Sequence, residues 1–145
     1  MADWHQRFLA LAAHVGSWSK DPSTKVGAVI VRHDHTIVSV GYNGFPRHCD
    51  DHDELYADRS KKYPRTVHAE VNAILTAKSP LDGCTLYVSP LYPCPSCAGI
   101  IIQSGISSVY AHMPNEPDHW AEAFETSRQM FEEAGVFVGS PYLAG

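Results

Sequence analysis

The first part of the chain separates into three apolar patterns and one long polar stretch. Apolar side chains recur at helical spacing near the start, which predicts an amphipathic helix over residues 3–18. Two β-branched runs, VGAVIV (26–31) and TIVSVGY (36–42), predict strands, and the polar HDH between them makes the pair an antiparallel hairpin. Residues 43–66 are polar and marked by Gly and Pro, which predicts a loop. Loops of this length in a compact domain are uncommon and often functional.

In the second part of the chain, segments with helical spacing of apolar residues alternate with segments typical of strands. They predict helices over 67–78, from Pro95 up to Gly105, and over 118–134, and strands over 84–90, 106–113 and 136–140. Such alternation is typical of an α/β fold, a three-layer α/β/α sandwich with helices on both faces of one five-stranded mixed sheet. The last three strands, joined by helices, should be parallel. We expect residues 1–145 to form a single domain.

Composition and charge exclude several classes of protein. The chain has 145 residues, 44% hydrophobic and 19% charged, with a net charge of −5 and only 11 basic residues. No basic stripe is present, so we expect no nucleic-acid partner. We also expect no membrane association, because no signal peptide and no apolar run of spanning length are found. A cytoplasmic location (host cytoplasm if the chain is viral) disfavours disulfides, so a Cys-x-x-Cys pair favours metal binding or catalysis.

Two short motifs carry candidate chemistry. His68 and Glu70 lie two apart in TVHAEVNAI, and Cys94 and Cys97 form Cys-x-x-Cys in PLYPCPSC. One imidazole and two thiolates give Zn²⁺ three ligands and leave a fourth position open, which is typical of a catalytic zinc. A carboxylate beside a metal-activated water can take and pass on its proton, a role open to Glu70. Because residues two apart diverge in mid-helix, we expect the helix cap at residue 66 or 67.

Each motif alone has a simpler interpretation. His68 by itself is more often a hydrogen-bonded core histidine, and Cys94 with Cys97 could be a redox pair or half of a structural zinc site. Together, His-x-Glu followed by Pro-Cys-x-x-Cys is the signature of zinc-dependent nucleobase deaminases, which replace an exocyclic amine by attack of a zinc-activated water. The combination therefore favours one catalytic zinc per chain.

Longer segments narrow this class. The chain resembles the deoxycytidylate (dCMP) deaminase family, of cytidine deaminase-like fold, from about residue 16 to 138, through SKDPSTKVGAVIV, GYNGFPRHCDD, YPRTVHAEVNAI and GCTLYVSPLYPCPSCAGIIIQSGI. The resemblance implies hydrolysis of dCMP to dUMP and ammonia, which feeds thymidylate synthesis. It also implies a homohexamer activated by dCTP and inhibited by dTTP. His68, Cys94 and Cys97 are then the zinc ligands and Glu70 the proton shuttle.

The resemblance further assigns the nucleotide contacts. Asn43 matches the asparagine that holds the deoxyribose hydroxyl, and the main chain of Ala69 would touch the pyrimidine edge. Lys25, with Ser23 or Thr24, is our candidate for the 5′-phosphate, since a lysine after small hydroxyl residues suits an anion. An exposed lysine with no ligand is the simpler interpretation of Lys25.

The family's regulatory nucleotide site lies in the stretch 43–66, where the alternative is an ordinary solvated surface loop. Arg47 adds one more cation there, and Mg²⁺ accompanying the nucleotide would meet the aspartates at 50, 51 and 53. Gly44 is explained by an unusual backbone angle in a tight loop or by an ordinary turn. The candidate regulatory residues are Gly44, Asp50, Arg59, Lys61, Lys62 and Arg65.

Two other functions compete with dCMP deamination. One is another zinc deaminase, acting on free cytidine or deoxycytidine, on tRNA adenosine or on polynucleotide cytosine. The acidic net charge argues against the nucleic-acid versions. The other is a non-catalytic protein that keeps a zinc and senses nucleotides, which would bind metal but release no ammonia.

Overall fold

The computed structural model describes residues 3–112 and 121–140. The helices are α1 (Trp4–Gly16), α2 (Asp53–Ala57), α3 (Arg59–Arg65), α4 (Ala69–Ala77), α5 (Pro95–Gln103) and α6 (Ala121–Ala134). The strands are β1 (Gly27–Val31), β2 (Ile37–Tyr42), β3 (Thr85–Ser89), β4 (Ser108–Ala111) and β5 (Phe137–Gly139). Residues 118–120, the predicted first turn of the last helix, lie outside the described residues.

The five strands form one mixed sheet in the order β2-β1-β3-β4-β5. Strand β1 pairs antiparallel with both β2 and β3, while β3–β4 and β4–β5 are parallel. The predicted hairpin and the predicted parallel half are both confirmed. The helical crossovers between β3, β4 and β5 impose the parallel direction, because a tight turn cannot join parallel neighbours.

Strand β1 is buried on both faces, and its alternating side chains serve two cores. Val29 and Val31 pack with Phe8, Leu9 and Ala12 of α1 on one face. On the other face, β1 joins a larger core with residues of β3, α4, α5 and α6. This is the expected three-layer α/β/α sandwich.

Two helices lie where the sequence predicted a continuous loop. α2 and α3, of 5 and 7 residues, interrupt the stretch 43–66. The Asp58 side chain accepts a hydrogen bond from the backbone N–H of Ser60 at 3.0 Å and caps the start of α3. Tyr56 of α2 is 6% exposed and stacks on Phe45, with ring centroids 4.1 Å apart. Helices of one or two turns show too little periodicity to detect, so the loop prediction is wrong here.

The placement of α4 depends on close approach to β2. A Cβ atom at Gly41 would lie 2.5 Å from the backbone nitrogen of Ala73 and 2.6 Å from the carbonyl oxygen of Ala69. Glycine therefore allows the helix backbone to contact the strand directly. Among the helices of the described ranges, none is long and apolar enough to cross a membrane.

Candidate metal centre and active site

Two helix N-termini bring the predicted ligands together. His68 is the N-cap of α4, with extended backbone angles (φ −70°, ψ 154°), and Cys94 is the N-cap of α5. Pro95 starts α5, where a missing N–H costs nothing, and places Cys97 one turn in. The prediction of a cap at residue 66 or 67 is wrong by one or two residues. Because His68 is the N-cap and its backbone is not helical, its side chain need not point away from Glu70 as it would in the middle of a helix.

The three side chains form a group of the size a metal ion requires. The Nδ1 atom of His68 lies 3.1 Å from the Cys97 sulfur and 3.7 Å from the Cys94 sulfur. Tetrahedral zinc with ordinary Zn–N and Zn–S bonds separates such atoms by about 3.5 Å. Across residues 3–112 and 121–140, no other group of three or more His, Cys, Asp or Glu residues is suitably arranged. The donor types and spacing fit zinc.

The group is open on one side. His68 is exposed and Cys94 half-buried, whereas Cys97 is buried in the core. Within the part of the chain that the structure describes, the cluster contains three protein ligands. Three protein ligands would leave a tetrahedral ion one position for a water or a substrate atom.

Hydrogen bonding between Cys94 and Cys97 shifts the pKa values of the two thiols in opposite directions. The pKa of Cys94 is lowered to about 4, because its thiolate accepts hydrogen bonds from Cys97 and His68. The pKa of Cys97 is raised, since its proton is held by Cys94 and its sulfur is buried. The pKa of His68 is raised mainly by its hydrogen bond to Cys94. A bound divalent cation would displace these protons, because thiolate and neutral imidazole are the ligating forms.

Glu70 lies beside the metal ligands in a dry environment. It is 4% exposed, in the first turn of α4, and its carboxyl group is within hydrogen-bonding reach of Cys97. Burial raises the pKa of this carboxyl group above its ordinary value. A buried carboxyl group with a raised pKa is a stronger base than an exposed one, which suits a proton-transfer role.

Asn43 is held between two segments of backbone. Its side-chain oxygen accepts from the N–H of Val26 at 2.9 Å, and its amide nitrogen donates to the carbonyl of Thr24 at 3.0 Å. An amide has two donor hydrogens and two acceptor lone pairs, so one of each stays available for a ligand. Asn43 is 7% exposed, and Ala69 at the start of α4 is fully buried.

The three phosphate candidates lie on one turn, here called the 19–26 turn. Ser23 and Lys25 are exposed, and Thr24 is half-buried. The Lys25 ammonium group donates to the carbonyl oxygen of Ser19, so this lysine is partly engaged with its own turn. Ser23 is therefore the more accessible hydroxyl for an anion.

The regulatory candidates have different environments. Asp50, Lys61 and Arg65 are exposed, and the exposed Arg59 guanidinium lies 4.9 Å from the ring centroid of Tyr63. Arg59, Lys61 and Arg65 lie on α3, and Asp50 precedes α2.

Two of the regulatory candidates are placed differently from expectation. Lys62 is 3% exposed and ion-paired with Asp21 at 3.2 Å, so it is not a free surface cation. Gly44 is not in the left-handed region and is not in a simple turn. It forms an antiparallel bridge with Val67, with N···O distances of 3.1 and 2.8 Å, which ties the strand end to the residue before His68.

The sequence analysis missed the partner of Lys62. Asp21 seemed only to break a helix, in the dipeptide Asp-Pro, but its carboxylate is buried and accepts hydrogen bonds from Ser23 and Thr24. The only sequence signal was that an Asp before Pro often accepts bonds from the turn it starts. Its pairing with a lysine 41 residues away has no local signature.

A His/Cys/Cys group and a buried glutamate on an α/β/α sandwich define the class of zinc-dependent deaminases. The family model described as "Cytidine and deoxycytidylate deaminase zinc-binding region" matches residues 2–113. The chain belongs to this family, which confirms the resemblance inferred from its motifs.

Relatives match along most of the chain. An "Uncharacterized deaminase in luxG 3'region" of Aliivibrio fischeri is 49% identical over 95% of this chain and 93% of its own length. A deoxycytidylate deaminase of Pongo abelii is 40% identical over 92% of this chain and 77% of its own length. The crystal structure of dCMP deaminase from the cyanophage S-TIM5 superposes with a TM-score of 0.73 at 24% identity, covering 94% of this chain and 95% of the other, which shows a shared fold.

Proposed function

We propose that this protein hydrolyses dCMP to dUMP and ammonia as a single deaminase domain over residues 1–145. One observation carries the proposal: a buried carboxyl group, Glu70, lies next to a His/Cys/Cys group with an open side. The 40% identity to a deoxycytidylate deaminase supports the choice of dCMP within the family. dCMP carries a 5′-phosphate, and the 19–26 turn offers polar groups that would bind it.

His68, Cys94 and Cys97 are the residues that would hold zinc. Zinc bound there would supply Lewis-acid chemistry, lowering the pKa of a water molecule so that it attacks at neutral pH. Two thiolates already neutralise the charge of the ion, which weakens this effect. A base near the water is therefore required, and Glu70 is the buried carboxylate at hand.

Glu70 would move protons from the water to the substrate. As a carboxylate it accepts a proton from the attacking water while the new C–O bond forms at the ring carbon bearing the amine. As a carboxylic acid it gives that proton to the ring nitrogen, and it then carries the second proton of the former water to the amine, so that the C=O bond forms, the C–N bond breaks and ammonia leaves. Burial raises the pKa of Glu70, which makes its carboxylate a stronger base toward the water.

Asn43, Ala69 and the 19–26 turn would bind and orient the nucleotide. The unused hydrogen-bonding capacity of the Asn43 amide suits the deoxyribose hydroxyl, which both donates and accepts. The main chain of Ala69, adjacent to His68, would contact the pyrimidine edge. Ser23 or Thr24, with Lys25, would contact the 5′-phosphate.

A comparison of three substrates tests the function. Ammonia release is measured with dCMP, deoxycytidine and dCTP at equal concentration, with zinc per chain determined on the same sample. We expect dCMP to give the largest kcat/KM. Faster turnover of deoxycytidine would contradict the substrate assignment, and zinc without ammonia release from any of the three would favour a nucleotide sensor.

Regulation and assembly extend the same proposal. We propose a homohexamer that dCTP activates and dTTP inhibits, with Mg²⁺ bound beside the regulatory nucleotide near Asp50. The exposed Arg59, Lys61 and Arg65 support a phosphate site around α2 and α3. Free cysteines in the described ranges are compatible with the reducing cytoplasm, the proposed location. The net charge of −5 supports a small nucleotide rather than a nucleic acid as partner.

A further inference from the structure

An ion pair is buried at the edge of the candidate active site. Lys62 and Asp21 are 3% and 6% exposed, and their charged groups lie 3.2 Å apart. Lysine is almost never buried to this extent unless it is paired. Burying two charges is costly and often contributes no net stability. The pair therefore calls for an explanation other than stability alone.

The pair connects a helix to the 19–26 turn. Lys62 belongs to α3, whereas the Asp21 carboxylate also accepts hydrogen bonds from the backbone N–H groups of Ser23, at 2.8 Å, and Thr24, at 3.3 Å. Asp21 thus bends the turn, and Lys62 fixes the bent turn to α3. Charge-assisted hydrogen bonds of this kind are among the stronger ones in proteins.

The 19–26 turn is also hydrogen-bonded to Asn43, the asparagine that would face the sugar. Thr24 accepts from the Asn43 amide and Val26 donates to it, so the orientation of this amide depends on the turn. The next residue, Gly44, bridges to Val67, which precedes His68. Hydrogen bonds, together with the peptide links from Asn43 to Gly44 and from Val67 to His68, therefore connect the buried pair to the start of α4.

Lys62 also orients a hydroxyl group that faces solvent. Its ammonium group lies 3.3 Å from the Ser23 hydroxyl oxygen, which can only accept from an ammonium donor. The hydroxyl hydrogen of Ser23 is then directed away from Lys62. Since Ser23 is exposed, that hydrogen is presented to an incoming acceptor, such as a phosphate oxygen.

We propose that Lys62 and Asp21 are positioning residues for the nucleotide: the pair holds the 19–26 turn and prepares the Ser23 hydroxyl to donate to the 5′-phosphate. This inference rests on the proposed function and deepens it. Lys62 acts through Ser23 and the turn and does not itself touch substrate. Its predicted role in a regulatory site is replaced by a role in substrate binding.

The test compares Lys62→Met with a control variant at a solvent-exposed ion pair. Lys62→Met removes the buried charge and keeps the length of the side chain. Arg128→Met is the control, because Arg128 pairs with Glu125 at 2.6 Å on the exposed surface of α6, outside the 19–26 turn and the candidate active site. We expect Lys62→Met to raise KM for dCMP about 10-fold or more, since a hydrogen bond from a charged group is lost. We expect kcat to change less than about threefold in Lys62→Met, and both parameters to stay near wild type in Arg128→Met.

Deoxycytidine provides the readout that a purely structural role would not move. It lacks the phosphate, so its KM should rise less in Lys62→Met than the KM of dCMP. A parallel rise for both substrates, or no rise beyond that of Arg128→Met, would overturn the inference. Lys62→Arg, which keeps the charge, should recover part of the loss for dCMP.

A double variant covers the case in which Lys62→Met does not fold. Lys62→Met with Asp21→Asn leaves no unpaired buried charge, so it should be more stable than the single variant. Positioning predicts that KM for dCMP stays raised in the double variant. Wild-type KM there would contradict it. If the wild-type protein itself does not deaminate dCMP, the proposed function fails first, and that result is distinct from any of these.

Discussion

Replacing Glu70 by glutamine separates metal binding from proton transfer. The amide has nearly the shape of the carboxyl group, and position 70 is not one of the three residues grouped for metal binding. Since Glu70 is 4% exposed, the substitution removes a poorly solvated charge without opening a cavity. The fold and the zinc content should therefore be kept while the proton carrier is lost.

The expected loss of rate follows from what the carboxyl group does. Proton transfer by one positioned side chain contributes about 10²- to 10⁴-fold to a rate. Glu70 would serve twice, accepting the proton from water and returning it to the substrate. We therefore expect kcat to fall at least about 10³-fold, or about 4 kcal/mol in activation free energy. Burial raises the pKa of the wild-type carboxyl group, so the variant should be at least as stable as wild type near neutral pH.

The assay measures ammonia release from saturating dCMP, zinc per chain and Tm on the same preparation. Glu133→Gln is the matched control, because this glutamate is exposed on α6 and should leave all three unchanged. Glu70→Gln that keeps zinc and Tm but retains more than about a tenth of wild-type kcat would refute the proton-transfer role. Loss of zinc in Glu70→Gln would instead show that the carboxyl group supports the metal.

Three further predictions concern the metal and the packing of α4. Cys97→Ala should lose zinc and lower Tm; a chelator should lower the Tm of wild type equally and leave that variant unchanged. Zinc binding to metal-free protein at pH 7 should release protons, because the pKa values of Cys97 and His68 are raised and both residues must lose a proton to become ligands. Zinc affinity should therefore rise with pH, and titration calorimetry in buffers of different ionisation enthalpy measures the proton number. No net proton release would contradict this assignment. Gly41→Ala should destabilise the protein by about 1–3 kcal/mol, because its Cβ would lie 2.5 Å from the backbone of Ala73. Gly99→Ala is the control for Gly41→Ala, since its nearest contact is 3.9 Å away and helix propensity favours alanine; equal denaturation midpoints of the two variants would refute the packing argument.

Strongly periodic elements were predictable because their burial pattern is local. The continuous apolar run of β1 and the apolar spacing of α1 and α4 follow from which faces are covered, and the order of elements then implied the mixed sheet. The short polar helices α2 and α3 were not predictable, since their stability comes from an aspartate cap and from packing such as that of Tyr56.

The metal group was predictable for a different reason. Zinc chemistry demands particular side chains, and a Cys-x-x-Cys turn brings two of them together within one segment. The prediction that His68 completes the group is compatible with its Nδ1 atom lying 3.1 Å from Cys97, although the two residues are 29 apart in sequence. The pairing of Lys62 with Asp21 had no such chemical demand behind it, and it was missed.

The sequence by itself determined the elements whose faces are apolar, the residue types that zinc chemistry requires and the family to which the chain belongs. Only the tertiary structure decided that Gly44 bridges to Val67, that Lys62 is buried against Asp21 and that Asn43 is bonded to the 19–26 turn. The physical reason is the range of the interactions. Periodicity and ligand spacing act over a few neighbouring residues, whereas a buried charge finds its partner only when distant segments have already packed together.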